Sequence, residues 1–356
     1  MSSKTGGTES VSKKKTGKKH SNPEERQEDE YRAEKGEVID DRYEMIEYLD
    51  KGHFSTVWKA KKIGSDEYVA IKIQRRLDKY TRTALEEIEF LKKVSHPNIL
   101  QLLDHFYYKR HMCLVFPCAN YNLLDILMKK EKMTPERIKN YTRQILSGLE
   151  YLHDTLHIIH TDLKPENILI IVDQEGAEHL LIGDLGNACH LDDQRSTIIQ
   201  SANYRSFEII INSGYDTSAD MWSVGCILFE MQAGVLLFEW NSDKCTDKSH
   251  TPDYHLLETI ISVLGPPPKH IAKSGENSSL FFNKKGQFRG KDRQLIDIST
   301  ILTRDANCEQ EYSTQLSAFI LAMLNYKKEK RITARDALAH EFLSEIPITN
   351  ADVLLS

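Results

Sequence analysis

One short polar loop between two apolar runs has side chains of the types and spacing needed for phosphoryl transfer. The runs, 158–159 and 168–171, are each short enough to form a buried strand. Asp162 can accept a proton from an attacking hydroxyl, Lys164 can neutralise a transferring phosphoryl group, and Asn167 can hold a divalent metal ion on the phosphates. The sequence therefore predicts two strands that hold a catalytic loop between them.

A further apolar run, Leu181-Ile182, is followed by another carboxylate, that of Asp184, in a turn flanked by glycines. Phosphoryl transfer between charged oxygens requires such an additional metal ligand. Because Mg²⁺ prefers oxygen, we expect Asn167 and Asp184 to be its ligands, and His153 and His157 to be packing or surface residues.

These two loops together resemble a known family. His160-Thr161-Asp162 with Asn167, followed seventeen residues later by Asp184-Leu185-Gly186, is similar to the catalytic and metal-binding loops of eukaryotic protein kinases. The resemblance implies an α+β, bilobal protein kinase fold. Its N-lobe would be a small antiparallel sheet with one helix, and its C-lobe would be larger and mainly helical. It also implies ATP and Mg²⁺ as cofactors and a protein as substrate.

Composition is consistent with such a protein. The chain has 356 residues, 40% of them hydrophobic and 28% charged, and its net charge of -6 argues against general nucleic-acid binding. Its six cysteines form no C-x-x-C pair, which favours unpaired thiols in a reducing compartment. No apolar run is long enough for a membrane span or signal peptide, so we expect a chain that is neither membrane-spanning nor secreted. We also expect a monomer, located in the cytoplasm, the nucleus or both.

The resemblance divides the chain into four parts. We expect a disordered charged tail over residues 1–40, the N-lobe over 41–118, the C-lobe over 119–346 with an insert near 236–312, and a C-terminal tail over 347–356. The lysine-rich run near residues 13–19 is either a nuclear-import or docking signal or simply a solvated tail.

Within the N-lobe, alternating and helical hydrophobic patterns predict five strands and one helix. The predicted strands are Tyr43–Leu49, Val57–Lys61, Tyr68–Ile73, Gln101–Tyr107 and Met112–Phe116, and the helix is Asp78–Val94.

A lysine that ends an apolar strand usually has an anionic partner. Lys72 ends Val69-Ala70-Ile71-Lys72, and Glu87 on the predicted helix is its expected partner; a solvated surface pair is the alternative. The glycine-rich turn before it is degraded, because Asp50 and Ser55 replace two of the usual glycines and only Gly52 remains.

The resemblance assigns further residues to the ATP pocket. Phe116 would be a bulky gatekeeper at the hinge and Cys118 would offer its backbone groups to the adenine. The complete predicted ATP-binding set is Lys72, Glu87, Leu49, Gly52, Val57, Ala70, Phe116 and Cys118.

Helix signals in the C-lobe are clear. Thr134 and Pro135 begin a helix whose apolar stripe runs to Leu152, and an apolar helix opens near Asp220 and stops at Gly234. Thr333 and Asp336 predict a capping box on the last helix. Glu208 stands where protein kinases commonly show A-P-E, and this resemblance implies that it is buried against Arg331, where a structural role suffices for both residues.

Several stretches narrow the resemblance to the SR-protein kinases, which are of the CMGC type and phosphorylate serines in Arg-Ser repeats of splicing factors. They are Gly52-His53-Phe54-Ser55-Thr56-Val57-Trp58, Thr83-Ala84-Leu85-Glu86-Glu87-Ile88, His160-Thr161-Asp162, Asp184-Leu185-Gly186-Asn187-Ala188-Cys189, Tyr204-Arg205-Ser206 and Phe281-Phe282-Asn283-Lys284-Lys285-Gly286. The resemblance covers about residues 43 to 346, but the long spacer that usually splits the lobes of those kinases is absent between the hinge and Thr134.

Two finer expectations follow from that subgroup. Thr161 stands where many kinases have arginine, which predicts activity without activating phosphorylation. The subgroup has an acidic surface before the helix near residues 256–264 that docks arginine-rich substrate. This chain has Asp243, Asp247, Asp253 and Glu258 there, interspersed with Lys244 and Lys248, which predicts a weaker or altered groove; an ordinary solvated loop is an equal alternative.

Three other functions stay open at this stage. The chain could be a CMGC-type kinase with other substrates, a pseudokinase scaffold, which the degraded glycine-rich turn favours, or a small-molecule phosphotransferase. The intact set of Lys72, Glu87, Asp162, Asn167 and Asp184 favours an active kinase over the scaffold.

Overall fold

A computed structural model describes residues 30–52, 55–76, 78–194, 196–239, 251–290, 295–304, 306 and 308–344. The N-lobe is a six-stranded antiparallel sheet with one helix against it. The strands are β1 (Val38–Ile39), β2 (Tyr43–Lys51), β3 (Ser55–Lys62), β4 (Tyr68–Gln74), β5 (Asp104–Tyr108) and β6 (His111–Pro117), and the helix is α1 (Asp78–Leu91). The spatial order of the strands is β1-β2-β3-β4-β6-β5.

Two apolar surfaces hold this lobe together. One face of the sheet buries a cluster that includes Met45, Ile71 and Val115. The stripe predicted for α1 is also buried, since Ala84 and Ile88 pack into the main core of the protein. The helix is thereby fixed against the sheet, and its polar side faces the cleft between the lobes.

The N-terminal boundary of the fold differs from the sequence-based one. We expected a disordered tail as far as residue 40, but β1 pairs with β2, and Ala33 and Ile39 are buried in the sheet cluster. Few apolar residues make these contacts, so composition alone did not reveal them. Residues 1–29, with the lysine-rich run, lie outside the described residues, as does the predicted tail 347–356.

The C-lobe is mainly helical. Its strands are β7 (Tyr121–Asn122), β8 (Ile158–Ile159), β9 (Ile168–Val172), β10 (Glu178–Ile182) and β11 (Cys189–His190). Its helices begin with α2 (Leu123–Met128), α3 (Pro135–Glu150), α4 (Phe207–Ile211), α5 (Ser218–Ala233), α6 (Pro252–Leu264) and α7 (Lys269–Ala272). They continue with α8 (Ser278–Phe281), α9 (Ile298–Arg304), α10 (Gln310–Met323) and α11 (Ala334–Leu338).

Helix α3 forms for the reasons seen in the sequence. The Thr134 side chain accepts a hydrogen bond from the Arg137 amide, and Pro135 occupies the first helical position. The predicted stripe through Leu149 is buried, and the helix continues through one wider turn, Tyr151–Thr155, to the catalytic loop.

Helix α5 is buried along nearly its whole length, and Gly234 ends it in the left-handed region at φ +69°. On α11, the Thr333 hydroxyl accepts from the Asp336 amide, as predicted. The second half of the predicted capping box differs, because the Asp336 carboxylate accepts from the Thr333 hydroxyl.

The α+β, two-lobed prediction is confirmed. No disulfide joins the five cysteines within the described ranges, and Cys245 lies outside them. No helix in the described part of the chain is long and apolar enough to cross a membrane.

Candidate active site

A cavity of about 490 Å³ lies between the lobes and contains most of the predicted site residues. The predicted members that line it are Gly52, Lys72, Glu87, Asp162, Lys164, Asn167 and Asp184. They come from both lobes and are up to 132 positions apart in the sequence, from Gly52 to Asp184. The fold therefore brings together chemical groups that are far apart in the sequence.

Lys72 stands at the centre of a three-residue charge cluster. Its Nζ lies 2.7 and 2.9 Å from the two carboxylate oxygens of Glu87 and 2.8 Å from Oδ1 of Asp184. The Glu87 side chain is only 1% exposed, whereas that of Asp184 is 40% exposed. The predicted Lys72–Glu87 pair is thus present, and Asp184 is the member that remains open to solvent.

The charge cluster shifts the ionisation of its members. The positive charge of Lys72 lowers the pKa of Asp184 to about 2, so this carboxylate is ionised at any physiological pH. Burial lowers the pKa of Lys72, but the charges of Asp184 and Glu87 outweigh it and the net shift is upward. Burial raises the pKa of Glu87.

Gly186 is required by this cluster. A Cβ atom there would lie 3.1 Å from Oδ1 of Asp184, 3.3 Å from Oε2 of Glu87 and 3.5 Å from Nζ of Lys72. Any side chain would crowd the three groups, which explains why position 186 of the Asp184-Leu185-Gly186 turn is a glycine.

The catalytic loop holds Asp162 in a fixed orientation. Its Oδ2 accepts a hydrogen bond from Lys164 Nζ at 2.8 Å, and its Oδ1 accepts from the Ser201 amide at 3.1 Å and from the Ser201 hydroxyl at 2.8 Å. Burial lowers the pKa of Lys164, but its bond to Asp162 and that carboxylate's charge raise it overall. Lys164 is therefore a cation beside an oriented carboxylate.

Asn167 and Asp184 offer oxygen ligands on the same cavity wall. The Asn167 amide nitrogen donates to the Asp162 carbonyl at 2.8 Å, which leaves its amide oxygen for a cation. Within the described ranges, no three His, Cys, Asp or Glu side chains form a complete metal cage. Such an incomplete oxygen set fits Mg²⁺, which is usually bound by few protein ligands and by substrate phosphates.

Asp220 is a positioning residue that sequence reasoning missed. It lies in the first turn of α5, is fully buried, and accepts from the backbone amides of His160 at 2.8 Å and Thr161 at 3.0 Å. His153 Nε2 lies 2.9 Å from the same carboxylate, so it packs as expected. The available signal was an aspartate leading a wholly apolar helix, which we interpreted only as a helix start.

Five of the predicted ATP-pocket residues are not among those lining the cavity: Leu49, Val57, Ala70, Phe116 and Cys118. Strand register nevertheless puts three of them near Lys72. Val57 lies directly opposite Lys72, Ala70 is two residues before it, and Phe116 lies opposite Ala70, so all three share its face of the sheet. Their roles in adenine binding stay predictions.

The buried pair predicted for the C-lobe is present. Arg331 Nη1 donates to Glu208 Oε1 at 2.6 Å, and the Arg331 guanidinium lies 4.9 Å from the centre of the Trp222 ring. The Arg331 side chain is 0% exposed. The pair joins α4, which follows the activation segment (residues 184–206), to the chain before α11.

The predicted acidic docking surface is only partly described. Asp253 pairs with Arg205 at 2.8 Å, and Glu258 is buried. Asp243 and Asp247 lie outside the described residues.

Comparison with known proteins agrees with this geometry. The protein kinase domain family matches residues 43–343. A serine/threonine-protein kinase SRPK of Physarum polycephalum is 33% identical, and the match covers 88% of each chain. A dual specificity tyrosine-phosphorylation-regulated kinase 2 of Drosophila melanogaster is 32% identical over 85% of this chain, and the DYRK-family kinase pom1 of Schizosaccharomyces pombe is 29% identical over 88% of it.

The chain belongs to the protein kinase family, whose members use ATP with Mg²⁺. More narrowly, it is a serine/threonine protein kinase of the CMGC type, with relatives in both the SRPK and the DYRK groups. The two groups match at nearly equal identity, so the comparisons do not assign it to the SR-protein kinases in particular. The chain spans 41% of the Drosophila relative and 29% of pom1.

Proposed function

We propose that this kinase transfers phosphate to serines in arginine-rich, Arg-Ser-type protein sequences and does so without first being phosphorylated itself. The observation that carries the substrate class is a pair of carboxylates, Glu166 and Glu230, beside the catalytic loop. We further propose that it acts as a monomer in the cytoplasm, the nucleus or both.

The proposed reaction uses the residues of the cavity in distinct roles. The serine oxygen attacks the γ-phosphorus of ATP, the bond to the β–γ bridging oxygen breaks, and ADP leaves. Asp162 orients the serine hydroxyl and accepts its proton, while Lys164 stabilises the charge that develops on the phosphoryl oxygens. Lys72, held by Glu87, positions the phosphates, and Asn167 and Asp184 would hold Mg²⁺, which neutralises phosphate charge.

The two carboxylates belong to or contact the two segments that hold the catalytic groups: Glu166 belongs to the catalytic loop, and Glu230 is hydrogen-bonded to Tyr204 of the activation segment. Glu166 lies in the catalytic loop, is exposed and lines the cavity. Glu230, on α5, is 7% exposed and accepts a hydrogen bond from the Tyr204 hydroxyl at 2.7 Å. Burial raises the pKa of Glu230, and the negative charge of Glu166 raises it further.

Two neighbouring carboxylates that disfavour each other's charge are stabilised by a cation between them. A guanidinium suits this place because its planar donors match carboxylates with two hydrogen bonds. An arginine next to the target serine is thus the side chain that this part of the cleft fits. The resemblance to SR-protein kinases and the similarity to an SRPK support the same substrate class.

We predict a strong preference for Arg-Ser peptides that depends on this pair. Phosphate incorporation from magnesium-ATP should be far greater into an Arg-Ser repeat peptide than into Lys-Ser or Ser-Pro peptides. Glu230→Gln and Glu166→Gln should each raise KM for the Arg-Ser peptide about tenfold, as expected for loss of one charge-assisted hydrogen bond. Glu175→Gln, which removes a carboxylate from the exposed β9–β10 turn, is the matched control and should change nothing.

The pH dependence gives this prediction a second readout. Because the pKa of Glu230 is raised, its negative charge is lost at a higher pH than that of an ordinary glutamate. KM for the Arg-Ser peptide should therefore increase as the pH falls through that raised pKa, and Glu230→Gln should flatten the dependence. Activity on the Ser-Pro peptide equal to that on the Arg-Ser peptide would be consistent with a protein kinase but would contradict the proposed arginine-rich substrate.

The proposal of constitutive activity is supported by a buried glutamine in the activation segment. The Gln200 side chain donates to the Ala219 carbonyl at 2.7 Å and to the Ser223 hydroxyl at 3.0 Å. Its oxygen accepts from the Ser206 amide at 2.9 Å and hydroxyl at 3.0 Å. All its hydrogen-bonding capacity is used, so a neutral residue ties the segment to α5 without any phosphate.

Thr161 adds a second tie. Its hydroxyl donates to the Asn187 carbonyl at 2.8 Å, and its own carbonyl accepts from the Gln200 amide at 2.8 Å. The residue that replaces the usual arginine thus links the catalytic loop to both ends of the activation segment.

We predict full activity from protein in which Ser196 and Thr197, the exposed hydroxyl residues of this segment, are both replaced by alanine and which is treated with phosphatase. Gln200→Ala should instead lower kcat about tenfold or more, because buried partners are left unsatisfied. The measurement is the initial rate on the Arg-Ser peptide, with mass spectrometry of the purified chain. Two results together would contradict the proposal. The alanine variant would be inactive, and the phosphatase-treated wild-type chain would gain activity when it is phosphorylated again.

A further inference from the structure

The described residues include a segment that precedes the region matching the kinase family. Residues 30–39, here called the anchor segment, precede residue 43, where the family match starts. The segment runs along the N-lobe sheet and ends at β1. It brings a carboxylate, that of Glu30, to the edge of the ATP cleft.

The anchor segment is held by several independent contacts. The Tyr31 ring packs edge-on against Tyr108, with ring centres 5.7 Å apart, and Lys109 Nζ lies 5.2 Å from the Tyr31 ring centre. Ala33 is buried in the sheet cluster, and the Gly36 amide donates to the Met45 carbonyl at 2.7 Å. These contacts fix the position of Glu30, which is adjacent to Tyr31.

Glu30 joins two strand ends beside the glycine-rich turn. Its carboxylate oxygens lie 2.7 and 2.9 Å from Lys51 Nζ, and Oε2 lies 3.3 Å from Nη2 of Arg75. Lys51 is the last residue of β2, and Arg75 directly follows β4. The side chains of Glu30 and Arg75 are 13% and 17% exposed, whereas that of Lys51 is 54% exposed, so the contact is shielded from water on its Arg75 side.

Both strand ends belong to the ATP cleft. Lys51 lines the cavity next to Gly52, and Gln74, the neighbour of Arg75, lines it as well. Lys51 pairs with Thr56 across the β2–β3 turn, and Ser55 pairs with Gln74. A carboxylate that fixes Lys51 relative to Arg75 therefore fixes the stem of the turn that covers the phosphates.

The sequence of this turn makes such support useful. Two of the usual glycines are replaced by Asp50 and Ser55, and the Asp50 carboxylate accepts from the Lys51 amide at 2.7 Å. Asp50 places a negative charge near the phosphate site. Arg75, whose side chain is 17% exposed, has the Glu30 carboxylate as a neighbouring opposite charge.

We propose that Glu30 is a positioning residue for ATP. Acting through Lys51 and Arg75, it holds the stem of the glycine-rich turn in the geometry that receives the phosphates. The segment before the family-matched region is thereby part of the nucleotide site, although it does not touch the nucleotide.

The test is the KM for ATP of Glu30→Gln, measured with the full chain and saturating peptide. We expect KM for ATP to rise about fivefold while kcat stays within about twofold, in line with the loss of a partly shielded ion pair. Glu34→Gln is the matched control, because Glu34 lies exposed in the same segment and the same charge is removed. It should leave KM for ATP unchanged.

The direction of the change in KM for ATP distinguishes a positioning role of Glu30 from a direct effect of its charge on the nucleotide. Removing a negative charge near the cleft would by itself strengthen the attraction for the anionic nucleotide and lower KM. A rise in KM is therefore explained only by lost positioning. Faster hydrogen exchange in peptides spanning residues 49–58 of Glu30→Gln, with an unchanged Tm, should accompany it.

A double-mutant cycle with Lys51→Gln tests whether Glu30 affects ATP binding through Lys51. If Glu30 acts through Lys51, Glu30→Gln should have a much smaller effect on KM for ATP in the Lys51→Gln background. The proposal is overturned by an unchanged or lowered KM in Glu30→Gln, by an equal rise in Glu34→Gln, or by additive effects of the two substitutions in the cycle.

Discussion

Replacing Asp184 by asparagine should lower kcat for phosphoryl transfer by about a thousandfold or more. The substitution removes the ionised carboxylate that would hold Mg²⁺ and takes one of the two negative partners from Lys72. Electrostatic groups aimed at transferring phosphates contribute on this scale when they are removed singly. The measurement is phosphate incorporation into the Arg-Ser peptide at saturating magnesium-ATP.

Asp192→Asn is the matched control, since Asp192 is an exposed aspartate in the same activation segment. It should retain wild-type kcat. Activity of Asp184→Asn within tenfold of the wild type would contradict the assigned role. A wild-type chain that neither binds magnesium-ATP nor phosphorylates any peptide would instead favour the pseudokinase scaffold.

Replacing Arg331 by methionine should lower the free energy of unfolding by about 3–5 kcal/mol, the cost of leaving a buried charge without its partner. The Glu208 carboxylate would lose two hydrogen bonds in a place where only 4% of its side chain is exposed. Trp222 would also lose the guanidinium packed over its ring. Denaturant unfolding followed by tryptophan fluorescence measures the change.

The double variant Glu208→Leu/Arg331→Met should recover most of that loss, because it removes both charges from the buried site. Arg335→Met is the surface control, since Arg335 is 66% exposed and pairs with Glu150 and Asp154, which are 34% and 39% exposed, and it should unfold like the wild type. A stability of Arg331→Met equal to that of the wild type would show that the buried pair does not stabilise the C-lobe.

The sequence alone determined the chemistry and the local elements. Catalytic and metal-binding loops are short polar interruptions of apolar strands, so Asp162, Lys164, Asn167 and Asp184 could be identified from local pattern. Helix α3 was predictable from its cap and its stripe for the same reason. A charge among apolar residues needs an opposite charge, and the resemblance to protein kinases assigned the partners in the Lys72–Glu87 and Glu208–Arg331 pairs.

Only the tertiary structure decided the contacts between distant segments whose residues look ordinary in sequence. Asp220 holds the catalytic loop, Gln200 ties the activation segment to α5, and Glu30 reaches the glycine-rich turn from outside the family-matched region. A buried hydrogen bond depends on the distance between two groups that are far apart in the sequence, and that distance has no periodic signal along the chain. The sequence thus determined which groups react, and packing determined which groups hold them in place.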